Sequence, residues 1–199
     1  MIIVNGGRKI TKTMIALSDK KNSLVEFTNP QDRGTKFLKR EDNLWMFFPD
    51  AEDIIKISGH MLNQGMMGSD YSYQDIMESD KLTDLYNFKI IGEEEIEGRP
   101  CYVLEGVARE GVKVSYYRRV SWIEKERFIG LKEELYAESG RILKEIKVNE
   151  VLEIEGRWIP VDSVIENKLR KNTYTRFKIT KIEFNPEIPE STFSLQNLR

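Results

Sequence analysis

Short runs of alternating apolar and polar residues, each closed by a turn signal, recur along most of this 199-residue chain. A period of two puts successive side chains on opposite faces of a strand, and Gly, Pro, Asn and Asp end the runs. The pattern predicts strands at Lys9–Ser18, Leu24–Thr28, Thr35–Arg40, Leu44–Phe48 and Ile54–Ser58. The opening Met1–Val4 followed by Asn5-Gly6-Gly7 reads as the end of a strand entering a hairpin turn. Beyond Phe88 a second series follows: Phe88–Glu95, Cys101–Arg109, Lys113–Ile123, Phe128–Ala137, Ile142–Ile154, Trp158–Glu166 and Tyr174–Phe184. Ile-Glu-Gly-Arg occurs at Ile96–Arg99 and again at Ile154–Arg157, which reads as one turn chemistry used twice.

Between His60 and about Leu85 the alternation stops. His60–Met67 is expected to form a short helix, and Ser72 with Asp75 three residues on forms a capping box for a second one running through Met77. Pro186–Leu198 reads as a loop with one helical turn. The expectation is a single mainly-β (α+β) domain over residues 1–199. Its antiparallel sheet is too long to stay flat and curls, and short helices cover the concave face.

Composition excludes several classes. Net charge is −2, with 31 basic and 33 acidic residues spread along both halves, so no basic surface of the kind that binds nucleic acid is expected. No run of about 18 apolar residues exists to span a membrane as a helix. The lone Cys101 cannot form an internal disulfide and reads as a small buried hydrophobe. With one histidine, His60, a His-rich metal site is unavailable. His60 itself reads as a capping or hydrogen-bonding residue at a strand-to-helix junction. Gly-x-Ser-x-Gly, Gly-x-Gly-x-x-Gly and the phosphate-binding Gly-x-x-x-x-Gly-Lys are all missing. Glu93-Glu94-Glu95 reads as a solvated edge, and no carboxylate pair stands out for acid–base work. Neither an enzyme nor a cofactor is expected.

Methionine placement is more informative. Five of the seven methionines are Met46, Met61, Met66, Met67 and Met77, four of them inside the helical insertion. Methionine suits surfaces that accept varied apolar shapes, and it also plugs cores; both readings stand. On the strands, Leu44, Met46 and Phe48 share a face, as do Ile55 and Ile57, and Leu131 and Leu135 share another. Together with Leu62, Tyr71 and Tyr73 of the insertion, these residues are expected to line an apolar hollow. Each methylene buried there would contribute about 0.8 kcal/mol.

Several segments carry a family resemblance. They are Gly34–Leu38, Asn43–Pro49, Ile55–Gly59, Met67–Tyr73, Gly98–Tyr102, Trp122–Arg127, Leu131–Tyr136, Gly156–Pro160 and Ile188–Phe193. In this order the chain resembles the outer membrane lipoprotein-sorting proteins of the LolA/LolB superfamily. The resemblance implies an open half-barrel with an apolar cavity, a periplasmic location, and an export signal and helix ahead of the first strand that are missing here. It also implies a carrier of lipid acyl chains or acylated lipoproteins that meets an inner-membrane transporter or an outer-membrane acceptor. An envelope sensor that detects lipid and binds a protein partner is the alternative on the same fold. An enzyme using an unrecognised carboxylate pair is the third.

Overall fold

The computed structural model describes residues 1–19 and 21–199. Strands β1 (Ile2–Asn5) and β2 (Arg8–Thr11) form the opening hairpin. A meander follows: β3 (Met14–Ser18), β4 (Asn22–Phe27), β5 (Lys36–Arg40), β6 (Asn43–Phe48) and β7 (Asp53–Ile57). After the insertion come β8 (Tyr86–Ile96), β9 (Arg99–Ala108), β10 (Arg118–Glu124), β11 (Gly130–Tyr136), β12 (Ile142–Ile154), β13 (Arg157–Asn167) and β14 (Thr173–Lys178). The turn expected over residues 20–23 starts at residue 20, outside the described residues.

The strands build two antiparallel sheets, neither closed into a barrel. One has nine strands in the order β2-β1-β14-β13-β12-β11-β10-β9-β8; the other has five, β3-β4-β5-β6-β7. The mainly-β open half-barrel expected from sequence is therefore present, but split in two. The split falls inside the single strand expected at Lys9–Ser18. At Lys12 and Thr13 the chain leaves one sheet and enters the other. The Lys12 N–H bonds the Met1 carbonyl at 2.8 Å, and its buried ammonium pairs with Asp32. One residue on, the Thr13 carbonyl accepts from the N–H of Thr28 at 2.8 Å. A strand that changes sheets also changes which face is covered, which is why its alternation is imperfect.

The repeated Ile-Glu-Gly-Arg sequences make the same turn. Ile96 pairs with Arg99 and Ile154 with Arg157. The central residues are left-handed in both: Glu97 and Gly98 at φ 50° and 78°, Glu155 and Gly156 at φ 50° and 75°. Two successive positive φ values give the mirror-image turn whose twist suits a hairpin.

The insertion holds less helix than its sequence predicts. His60–Met67 forms two 3₁₀ turns, Gly59–Asn63 and Met66–Gly68, because Gly65 lies against the Ser69 carbonyl and Met67 turns left-handed at φ 51°. The capping box is formed: Asp75 N–H donates to Ser72 Oγ at 3.1 Å and Ser72 N–H to Asp75 Oδ2 at 2.7 Å. It starts helix α1 (Tyr73–Glu78), which is followed by the single turn α2 (Leu82–Leu85). Two strand expectations shorten. Residues 113–117 are drawn out of β10 because Ser115 N–H bonds Glu78 and the Tyr116 hydroxyl bonds Asp75, and β14 stops at Lys178.

Cores form on both faces of the five-stranded sheet. Its inner face buries Phe27, Phe37, Leu44, Met46 and Ile57 under Met66 and Tyr73 of the insertion. Its outer face packs Leu38 and Phe47 against Phe193 and Leu198 of the C-terminal segment. The insertion also reaches the larger sheet. Asp70 N–H donates to Thr175 Oγ1 at 2.8 Å, and the Tyr71 ring meets Phe177 edge-on at 5.8 Å.

Candidate ligand-binding groove

Cross-strand partners point to the same face of a sheet, so the register identifies the inner wall of the nine-stranded sheet. One row crosses every strand: Ile90, Leu104, Ser121, Glu133, Ile146, Ile165, Thr175, Ile3 and Ile10. The neighbouring row runs Phe88, Gly106, Arg119, Leu135, Lys144. The opposite face differs. There Val120 and Trp122 are buried under long charged side chains, with Lys132 over the Trp122 ring at 4.2 Å and paired to Glu134 at 2.6 Å. Aliphatic stems shield such a face while their charged heads stay wet.

On the inner wall lies a groove of about 540 Å³. Its apolar lining comes from Phe88, Leu104, Ile123, Leu131, Ile146 and Val148, and Leu82 of α2 closes one side. Gly106 is part of how the sequence shapes it. The Phe88 ring lies where a Cβ on Gly106 would come within 2.5 Å of it, so glycine lets the ring lie flat on β9.

A second lobe of about 210 Å³ adjoins the groove, sharing Leu82, Glu133 and Ile146 with it. This lobe is polar. Arg119 donates to both Glu133 oxygens at 2.9 and 2.8 Å, and Ser121 Oγ donates to Glu133 at 2.9 Å. Lys144 pairs with Asp75 at 2.9 Å. Glu78 is 4% exposed; one oxygen accepts from Gln74 and from the Ser115 N–H, and the other has no partner among the described residues. Burial pushes the Glu78 carboxyl above its ordinary range and the Tyr71 hydroxyl up to about 12.

The residues expected to line the hollow divide between two places. Tyr71, Leu131 and Leu135 line the groove or its polar lobe. Leu44, Met46, Ile57, Met66 and Tyr73 sit in the packed core between the small sheet and the insertion, with Phe48, Met61, Leu62, Met67 and Met77 packed against it. Ile55 shares that face through its pairing with Met46 and is 37% exposed. The shared face of Leu44, Met46, Ile55 and Ile57 is thus inward as expected, but the insertion fills the space above it. Sequence reasoning missed Phe88, Leu104, Ile123, Ile146, Val148 and the Arg119–Glu133 pair. The signal for Ile146 and Val148 was present in the alternation Ile-Lys-Val of β12, though register shifts near Ile90, Trp122 and Val148 keep the rows from aligning by inspection.

Cys101 is fully buried, and burial raises its thiol pKa. His60 is exposed in the first 3₁₀ turn. Among the described residues no group of three or more His, Cys, Asp or Glu is placed to hold a metal ion. No helix among them is long and apolar enough to cross a membrane.

Solved structures share this architecture end to end. A DUF1329 family protein from Desulfovibrio piger superposes with a TM-score of 0.88 at 26% identity, covering 100% of this chain and 88% of that one. A candidate outer membrane lipoprotein-sorting protein domain from Vibrio parahaemolyticus gives 0.85 at 22% identity, over 99% and 87%. A LolA superfamily protein from Nitrosomonas europaea gives 0.79 at 23% identity, over 98% and 88%. No curated protein sequence matches the chain. The protein-family model that matches residues 19–199 is described as "-like: Uncharacterized protein". The chain belongs to that family, and its fold is the LolA-like open half-barrel expected from its sequence.

Proposed function

We propose that this protein is a periplasmic carrier that holds the acyl chains of lipids or lipoproteins and moves them toward the outer membrane. The apolar groove on the inner wall of the nine-stranded sheet supports this reading most directly. Its volume of about 540 Å³ falls in the ~300–1,000 Å³ range of small-molecule sites. At about 0.8 kcal/mol per buried methylene, a chain seated along Leu104, Ile123, Ile146 and Val148 binds without a charged anchor. The likeness in fold to proteins described by lipoprotein sorting and by LolA supports the location and the class of cargo.

In this reading Tyr71, Leu131 and Leu135 touch cargo beside the groove residues. The methionine-rich core around Met46, Met61, Met66, Met67 and Met77, with Leu44, Phe48, Ile55, Ile57, Leu62 and Tyr73, holds the insertion on the small sheet and does not touch the cargo. Carriage makes and breaks no bond, so neither a catalyst nor a cofactor is involved. An inner-membrane transporter would load the groove and an outer-membrane acceptor would empty it.

The test is extraction of lipid from protein purified out of the periplasm without detergent, followed by mass spectrometry. Stoichiometric phospholipid or acylated peptide is expected. Protein that emerges lipid-free, and takes up none when offered acylated ligands, contradicts the reading.

A further inference from the structure

Among the described residues, the polar lobe beside the groove has no cation to spare. Arg119 is committed to Glu133 by two hydrogen bonds at 2.9 and 2.8 Å, and its guanidinium also lies over the Tyr86 ring at 5.3 Å. Lys144 is committed to Asp75 at 2.9 Å, and Asp75 accepts from the Tyr116 hydroxyl at 2.8 Å as well. Two cations face two carboxylates, and the third carboxyl, Glu78, is buried with one oxygen unpartnered. Burial raises the Glu78 pKa, which favours its neutral form.

We propose that this lobe selects acyl ligands whose head is uncharged and hydrogen-bonding, such as a glycerol ester or an amide, and rejects those with a carboxylate or phosphate at that position. The inference rests on the acyl-carrier reading of the adjoining groove. Leu82, Glu133 and Ile146 line both spaces, so a chain in the groove places its head at the lobe.

The physical argument is a comparison of costs. An anionic head entering the lobe finds Glu133 and Asp75 already holding the available cations. To gain Arg119 it must displace Glu133, which then sits nearby as an uncompensated charge of the same sign. A hydroxyl or amide leaves both ion pairs intact. Its hydroxyl or carbonyl oxygen also accepts from neutral Glu78, whose proton sits on the oxygen that lacks a partner among the described residues, and unmet polar groups are expensive.

The experiment uses delipidated full-length protein and three ligands with the same palmitoyl chain: monopalmitoylglycerol, palmitate and palmitoyl lysophosphatidate. Each displaces a fluorescent monoacylglycerol from the groove. The neutral ligand is expected to bind at least about tenfold more tightly than either anion, a difference of ~1.4 kcal/mol. A Glu133→Gln variant, its fold checked by thermal melting, frees Arg119 and is expected to move the preference toward palmitate. Equal binding of the three, or tighter binding of an anion, by the natural protein overturns the selectivity while leaving the groove as an acyl site. A folded Glu133→Gln variant that gains nothing for palmitate also overturns it. Failure of all three ligands to bind removes the carrier reading itself, and this inference with it.

Discussion

Arg119 on β10 and Glu133 on β11 are diagonal neighbours across the strand pair, and their side chains meet in a two-pronged ion pair with hydrogen bonds of 2.9 and 2.8 Å. The pair stands on the inner wall, where the apolar groove gives way to its polar lobe. An arginine fork matched to a carboxylate fixes both side chains at once. It therefore divides the wall into a part that suits hydrocarbon and a part that suits a polar head.

Both members of that pair are mostly sheltered, with side-chain exposures of 10% and 19%. Removing one leaves the other as an uncompensated charge. Arg119→Ala or Glu133→Ala is expected to cost about 3 kcal/mol, and the double variant less than the sum of the two. Urea unfolding of the three proteins measures this. Additive losses would show that the two side chains do not support each other.

Met46 tests whether the core beneath the insertion is structural. It is 7% exposed among Phe37, Ile57 and Tyr73. Truncation there removes buried methylenes and leaves a cavity. Met46→Ala is expected to lower stability by about 2–4 kcal/mol by chemical denaturation. A cost near zero would mean that this cluster is loosely packed.

The capping box on α1 is a smaller device at a consequential place, because Asp75 serves the cap, Lys144 and Tyr116 together. Ser72→Ala removes the acceptor for the Asp75 N–H. The expected loss is about 1 kcal/mol in a denaturant titration, with the polar lobe loosened as α1 frays. Unchanged stability would show that tertiary contacts alone hold the helix start.

Asp162 and Glu78 give opposite pH dependences. Hydrogen bonds from Arg176 at 2.7 and 2.5 Å hold the Asp162 carboxyl at about 2, below its ordinary 3.8. A depressed carboxyl stabilises the fold in full above its unfolded value, and that contribution is lost as pH falls through the folded value. Asp162→Asn should therefore flatten the loss of stability between about pH 4 and about pH 2. Glu78 is raised by burial, so its contribution is complete below the ordinary 4.5 and is lost as pH rises through the folded value. Glu78→Gln should abolish that loss on the alkaline side. Stability profiles of the three proteins against pH check both signs, and superimposable profiles would contradict them.

How far the sequence revealed this molecule follows from particular residues. Strand periodicity and the two Ile-Glu-Gly-Arg turns were plain because a hairpin turn depends on two adjacent residues and its neighbours alternate. The Ser72–Asp75 box was plain for the same reason of locality. The inward face of β6 and β7 was legible too, through Met46 and Ile57. The groove was not, because it depends on which strand lies beside which. Ile146 meets Glu133 and Ile165 only in the folded order, and a bulge beside Ile90 shifts the register on the way. Nor does any local signal say that Lys12 carries the chain from one sheet to the other, since its partners Met1 and Asp32 are remote. The insertion misled in a simple way. Methionines mark adaptable apolar surface, but here they are packed against the small sheet, and the open space lies against the large one.

The most direct test of the account is equilibrium binding of a fluorescent acyl probe to the natural protein, to Ile146→Glu and to Met46→Ala. Ile146 lines both the groove and its polar lobe, whereas Met46 belongs to the core beneath the insertion. The account predicts saturable binding by the natural protein, retained affinity in Met46→Ala, and a loss of at least about tenfold, or ~1.4 kcal/mol, in a folded Ile146→Glu. Undiminished binding by Ile146→Glu, with binding abolished by Met46→Ala, would contradict it and place the acyl chain elsewhere.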